Sequence, residues 1–485
     1  MIALAVLGGT RVVYGAIISR ATDLQTFGEV GAMIAVAMLA SYVLPAGIAA
    51  ATSRFIPFER GAGDIQRARA SYVVLSTVGM LAAAGLGLLA AAAVAFLGRP
   101  PSEAVEVGLL AVAYSLYTTD KAALYAFERV DRYVRIEIVT SALAIVLTLA
   151  VAWSGATVYL LPFIVSYGAF SLLARRAVRG PAAGPRLDPW RRPRRDLLGY
   201  SFLAGIGILA GAGSLQGTQL LAVWFAAPRE VAHFAAAVTL TAPLYFMPRA
   251  LALALFPFMS ESYGAGDLAA VRRHADLATR GLLVCGAVVL VAAEILAPVT
   301  LTVFGGAEYV AGASVLRLIL LAAFLTIIAV PAINSLSSGP GWQLKTPVGW
   351  SVAGCLVGLG LVAVIGGPLG ALGVALSYLV GTAVTSAGPL LTAWHRLTMR
   401  WMGPLARGLG VVVAGLVVGT FIERGATDLF GLASIVAVAL VGTLLAAVVL
   451  IPDIRALSHA LPGRRSADLK IQESLVARPS HGKSG

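Results

Sequence analysis

The sequence is poor in the residues on which soluble proteins and most enzymes depend. Charged residues fill only 12% of its 485 positions, where an ordinary soluble chain carries roughly 25%. That shortage excludes a hydrated surface large enough to enclose the rest. Only two cysteines occur, Cys285 and Cys355, both inside apolar runs, so no disulfide is expected. The five histidines are scattered without metal-ligand spacing. No Gly-x-x-x-x-Gly-Lys-[Ser/Thr] loop is present, and no loop outside the apolar runs exceeds about 30 residues, so ATP hydrolysis is excluded. No Asp-x-Asp or His/Glu pair marks a membrane glycosyltransferase. No catalytic residue, metal ligand or cofactor is expected, and the chain reads as something other than an enzyme.

Apolar residues are what the chain has instead. They make up 59% of it, and its mean hydropathy is +0.88. Fourteen apolar runs, each long enough for a bilayer, can be marked between residues 1 and 451. They are too continuous for barrel strands, which alternate, so the expected fold is all-α and polytopic, with about fourteen transmembrane helices.

The net charge of +13 would point to nucleic acid in a soluble protein. Here it is a topology signal. Of the 36 basic residues, 29 fall in alternate loops and the tail, four in the opposite loops, and three (Arg11, Arg249, Arg317) inside spans. The basic side is therefore expected to be cytoplasmic, with both termini there. Membrane lipid is an expected partner and nucleic acid is not. The longest basic stretch, from Arg175 to Arg195, is rich in Pro and Gly and reads as a linker after six spans.

An internal repeat supports that division. Phe55-Ile56-Pro57-Phe58 is followed by Gly61-Ala62-Gly63-Asp64. Leu255-Phe256-Pro257-Phe258 is followed by Gly264-Ala265-Gly266-Asp267. Each copy closes the second span of a six-span block on the basic side, which implies a parallel repeat. The expected organisation is a six-helix lobe over 1–174, a basic linker over 175–196, and a second six-helix lobe over 197–400. Two further helices lie over 401–452, before a tail over 453–485.

Ionisable residues inside spans are costly and usually face a cavity or a partner. Arg11, Arg54, Arg249 and Arg317 are the candidate binding residues, because guanidinium forks suit phosphate oxygens. Glu294 and Asp120 are the candidate charge partners. Alternatives stay open. Arg54 and Arg317 can snorkel to the interface, Arg249 can pair with Glu294, and Arg11 can face the cytoplasm if its span starts later. Asp120-Lys121 is expected to be neutralised at the rim with Arg129 and Asp131. Pro45, Pro243, Pro248, Pro257 and Pro331 are expected to bend the helices that line a cavity.

The chain resembles the polysaccharide-biosynthesis flippases of the multidrug/oligosaccharidyl-lipid/polysaccharide exporter superfamily over nearly its whole length. The resemblance rests on the 6+6+2 layout and on three segments. One runs Ile17-Ile18-Ser19-Arg20-Ala-Thr-Asp-Leu to Phe27-Gly28, another is Ala51-Thr52-Ser53-Arg54-Phe55, and the third is Phe304-Gly-Gly-Ala-Glu-Tyr309 with Arg317 beyond. It implies two lobes around a cavity and an anionic cargo, a polyprenyl-diphosphate-linked oligosaccharide moved from the inner to the outer leaflet of the plasma membrane. It also implies glycosyltransferases or a glycan polymerase as partners, and action as a monomer. Related lipid II flippases carry cavity arginines on helices one, two and eight, which here hold Arg11, Arg54 and Arg249. A multidrug or cation antiporter of the same fold would need more buried carboxylate. A membrane enzyme of glycan assembly would need a larger outer loop.

Overall fold

The computed structural model describes residues 2–61, 64–182, 194–245, 267–337, 341–399, 401–425 and 432–460. It also describes Pro248, Leu251, Leu255, Met259 and Ser262. Among them there is no strand. Nine helices come first: α1 (Ile2–Ala21), α2 (Leu24–Val43), α3 (Pro45–Gly61), α4 (Ile65–Phe96), α5 (Pro101–Ala126), α6 (Val130–Ser154), α7 (Leu161–Ala182), α8 (Arg194–Phe225) and α9 (Pro228–Thr241). Seven follow: α10 (Leu268–Ile295), α11 (Ala297–Gly305), α12 (Ala313–Ser337), α13 (Gly341–Leu397), α14 (Met402–Gly425), α15 (Leu432–Val449) and α16 (Ile451–Ala460). Helices are the form expected where no water can satisfy a backbone group. Eight are long and apolar enough by themselves to cross a bilayer. The protein is a multi-pass membrane protein.

Local chemistry explains the breaks. Span two changes direction at Leu44–Pro45, where proline cannot donate to the helix ladder. Span eight tightens into a 3₁₀ turn, Ala242–Tyr245, at Pro243. Pro331, by contrast, sits inside the continuous α12. The 57-residue α13 doubles back at Gly370, whose φ of 55° and ψ of −139° suit glycine. The Ala371 amide freed there donates to Glu230 Oε2 at 3.1 Å. Beyond the break the two arms pack so closely that Gly381 has the Gly354 carbonyl at 2.6 Å from where a Cβ would stand.

The repeated Gly-Ala-Gly-Asp motif ends in the same turn twice. Asp64 accepts from the Arg67 amide, and its own N–H reaches the Glu59 carbonyl at 2.9 Å. Asp267 accepts from the Ala270 amide, and its N–H reaches the Ser262 carbonyl, again at 2.9 Å. Asp64 caps α4 and Asp267 caps α10.

Helices α1 to α7 pack mainly on one another, through α4–α5, α5–α7, α3–α5 and α1–α6. The second set does so through α12–α13, α13–α8 and α10–α12. The sets meet where α2 and α3 cross α8, where α2 meets α9, and where α1 meets α11. Helices α14 and α15 lie against α10. They are held on the basic face by Asp453 of α16, which is fully buried and takes Arg280 at 2.8 Å and Arg407 at 2.8 Å. At the opposite face Phe96, Trp153, Trp224 and Phe421, near the ends of α4, α6, α8 and α14, are all exposed. That is the position of an interfacial aromatic belt.

Candidate functional site

Arg11 lies midway along α1 and does not stand in the seam between the two helix sets. Its guanidinium turns into the first set, donating to the Tyr167 hydroxyl at 3.3 Å and lying 5.5 Å from the Tyr114 ring centre. Within its electrostatic reach is Glu137 of α6, which is 2% exposed. The Glu137 carboxylate accepts from Tyr117 at 3.0 Å, and Tyr117 accepts from Lys121 at 3.3 Å. Lys121 also lies over the Tyr117 and Tyr133 rings, at 5.4 and 5.1 Å. Two cations thus flank one carboxylate. A void of about 10 Å³ beside them, lined by Thr10, Glu137, Thr140 and Tyr167, has room for about one water. Sequence reasoning missed Glu137 and the tyrosines, and gave Lys121 only a place in the charge cluster at the rim. Glu137 was legible as an acid inside the fifth apolar run, and Tyr114, Tyr117 and Lys121 recur at helical spacing on one face of α5.

Asp120 is not neutralised with Lys121, Arg129 and Asp131 as expected. Adjacent helical residues point about 100° apart, so Asp120 faces α7 and binds Arg175 at 2.9 Å while Lys121 faces the tyrosines. Arg54 lies in the seam. It is exposed, sits 4.5 Å from the Tyr200 ring of α8 and 5.6 Å from the Phe55 ring, and has no ion pair among the described residues.

Arg317 departs from the expectation of a cavity residue. It is 1% exposed, and donates to the Glu294 carbonyl and to the Gly419 carbonyl, each at 2.9 Å. Its fork ties α12 to α10 and α14, because a buried guanidinium must spend its donors on nearby acceptors. Glu294, fully buried, has the Arg317 charge as its neighbour. Arg249, and with it the Arg249–Glu294 pairing, lies outside the described residues, as does Pro257. The three described arginines therefore do not converge. Arg11 serves the first set, Arg54 the seam and Arg317 the second set.

The seam is closed at the face away from the basic loops. Arg20 at the end of α1 donates to the Val303 and Phe304 carbonyls that end α11, and Ser19 donates to Phe304 at 3.2 Å. Phe27 stands edge-on to Phe304 and Tyr309, at 5.9 and 5.7 Å. The segment from Ser19 to Phe27 and the segment from Phe304 to Tyr309 are far apart in sequence and form one clasp. A Thr26 amide donating to Asp23 in this outer turn holds that carboxyl below the usual carboxylate range. At the other end of the seam Gly47 abuts the Ser201 carbonyl, and Gly205 has the Val43 carbonyl at 2.7 Å from where a Cβ would stand.

Solved structures share this fold. A multidrug resistance MATE family transporter of the MOP superfamily, in an inward-facing conformation, matches with a TM-score of 0.65 at 15% identity. The match takes in 82% of this chain and 98% of that one. The lipid II flippase MurJ in an inward closed conformation matches with a TM-score of 0.65 at 12% identity, over 91% of this chain and 95% of that one. The chain has the fold of these two proteins. A MOP-superfamily transporter from Pyrococcus furiosus, described by the reversed polarity of its binding pocket, matches with a TM-score of 0.59 at 16% identity, over 82% and 96%. No family model and no curated protein matches the sequence. The likeness is thus one of fold, at identities where sequence alone carries little.

Proposed function

We propose that the chain is a flippase that moves a polyprenyl-diphosphate-linked oligosaccharide from the inner to the outer leaflet of the plasma membrane by alternating access. On this reading the basic face and both termini are cytoplasmic. The observation that carries it is Arg54: an exposed guanidinium in the seam, unpaired among the described residues and oriented by Tyr200. A fork so placed is ready for phosphate oxygens. The excess of Arg11 and Lys121 over Glu137 has the same sign. The MurJ likeness, which takes in 91% of the chain, agrees with a flippase. Energetics favour the direction. About two negative charges moving outward across about 100 mV, inside negative, gain about 4–5 kcal/mol.

The test is surface glycan and membrane protein level measured in the same cells. Arg54→Ala is expected to lower glycan display at least about tenfold at unchanged protein level, and Arg54→Lys to restore part of it, keeping the charge without the fork. Full display with Arg54→Ala would remove the carrying observation.

One feature favours a second reading, a proton-coupled cation antiporter: the buried Glu137 with its hydroxyl and amine neighbours. That reading requires wild-type vesicles to move a cationic dye under an imposed pH gradient and Glu137→Gln vesicles to fail. The flippase reading expects no dye movement from either.

A further inference from the structure

A second basic site lies away from the seam, on the outer side of the first helix set. Arg129, Arg132 and Arg135 of the turn into α6, with Arg176 of α7, surround a cleft of about 470 Å³. Its remaining lining is Ile136, Leu173, Ala177 and Gly180, with no carboxylate. The side chains of Arg129, Arg135 and Arg176 have no hydrogen bond or ion pair among the described residues. Arg132 has only the exposed Asp131, at 3.9 Å.

The placement is specific. Arg175 and Arg176 are neighbours on α7, yet Arg175 turns inward to Asp120 and Arg176 turns into the cleft. A topology signal needs positive charge somewhere in a loop. It does not need four guanidinium groups gathered around one concavity, where they repel one another until an anion arrives. Two further features suit an anion with a tail. Arg129 occupies the N-cap of α6 without a side-chain hydrogen bond to it, so the first-turn amides of that helix remain free for an acceptor. The floor is apolar, and Val139, one turn along the Arg132–Arg135–Ile136 face, is exposed where acyl chains would lie.

We propose that this cleft binds the phosphate headgroup of an inner-leaflet lipid, with Arg129, Arg132, Arg135 and Arg176 on the phosphate and Ile136, Leu173 and Ala177 against the start of the tail. Basic pockets between membrane helices at the cytoplasmic surface bind such headgroups. The site is independent of what the seam carries, so the cargo assignment can fail while this one stands.

The test uses the full chain in phosphatidylcholine nanodiscs, titrated with dioctanoyl phosphatidic acid and, separately, with inorganic phosphate. Saturable lipid binding is expected. Arg129→Gln/Arg135→Gln/Arg176→Gln is expected to weaken it at least about tenfold. Arg272→Gln/Arg273→Gln/Arg455→Gln removes the same charge from exposed sites on the same face and is expected to weaken it less than about twofold. The corresponding Lys triple in the cleft, which keeps every charge, checks that the site is intact and is expected to retain most of the binding. Inorganic phosphate that competes at the lipid's own concentration assigns the site to a soluble phosphate compound. Failure to compete assigns it to lipid. Equal losses in the two Gln triples, or no saturable binding by the wild type, would overturn the site and leave only a diffuse surface field.

Discussion

Asp453 and Glu137 are both buried carboxylates beside two cations, yet their geometry sets them to different work. Asp453 is saturated by Arg280 and Arg407 from two other helices. It closes an ion cluster that no motion would disturb cheaply. Removing one member of a buried pair costs about 3–5 kcal/mol, because the others are left uncompensated. Asp453→Ala is accordingly expected to release α16 and lower the thermal midpoint of the purified protein by several degrees. The triple variant Asp453→Ala/Arg280→Met/Arg407→Met should recover much of that loss, since it strands no charge. Thermal unfolding in detergent, followed by tryptophan fluorescence, reads both. Glu137 instead accepts from Tyr117 and has at its side a void with room for about one water. Arg317 belongs with Asp453. Its donors are spent on carbonyls of α10 and α14, and the sequence showed its depth without its partners.

At the scale of elements, the glycine pair where α2 and α3 cross α8 decides how near the two helix sets come. No side chain fits at Gly47 without striking the Ser201 carbonyl, and Gly205 is almost as tight against Val43. Gly47→Val should wedge this end of the seam open while the helices themselves persist. Spin labels at Ser53 and Phe202, both exposed, are expected to move apart by several ångströms in the variant, measured by electron–electron distance spectroscopy. An unchanged distance would mean that this crossing does not govern closure. The opposite end works through different chemistry. There the carbonyls ending α11 accept from Arg20 and Ser19, a favourable use of a cation at a helix C-terminus. An Arg20→Ala variant is expected to loosen that end alone. The two ends are thus a steric contact and a polar clasp, and the proposed alternating access would require breaking one while keeping the other.

For the whole molecule, the lopsided distribution of basic residues makes a topological prediction. Cysteines placed at Gly184 and Ser466 should react with an impermeant reagent only when the cytoplasmic side is exposed, and a cysteine at Ser102 should react in intact cells. Labelling of the Gly184 site in intact cells would invert the assignment, and the direction of transport with it. The exposed aromatic residues Phe96, Trp153, Trp224 and Phe421 then mark the outer interface. The same inversion would move the arginine cleft to the outer leaflet, so one labelling experiment constrains both proposals.

Composition and run length were enough to determine that this chain is a bundle of membrane helices, because a bilayer permits almost nothing else for so many apolar residues. The repeated Gly-Ala-Gly-Asp motif determined the same local cap twice, at Asp64 and Asp267, because the same residues form it in both places. Local signals also marked the breaks at Pro45 and Pro243. They did not say which charged residues meet. Which face of a helix a residue occupies follows from spacing, but what opposes that face depends on how helices distant in sequence cross. Only the tertiary structure therefore placed Asp120 against Arg175 and not its sequence neighbours, joined Arg20 to the end of α11, and brought Glu137 between Arg11 and Lys121. It also separated Arg11, Arg54 and Arg317, which look alike in the sequence as arginines in or beside apolar runs. Each is held where its donors find acceptors or a ring face, and those partners come from other helices.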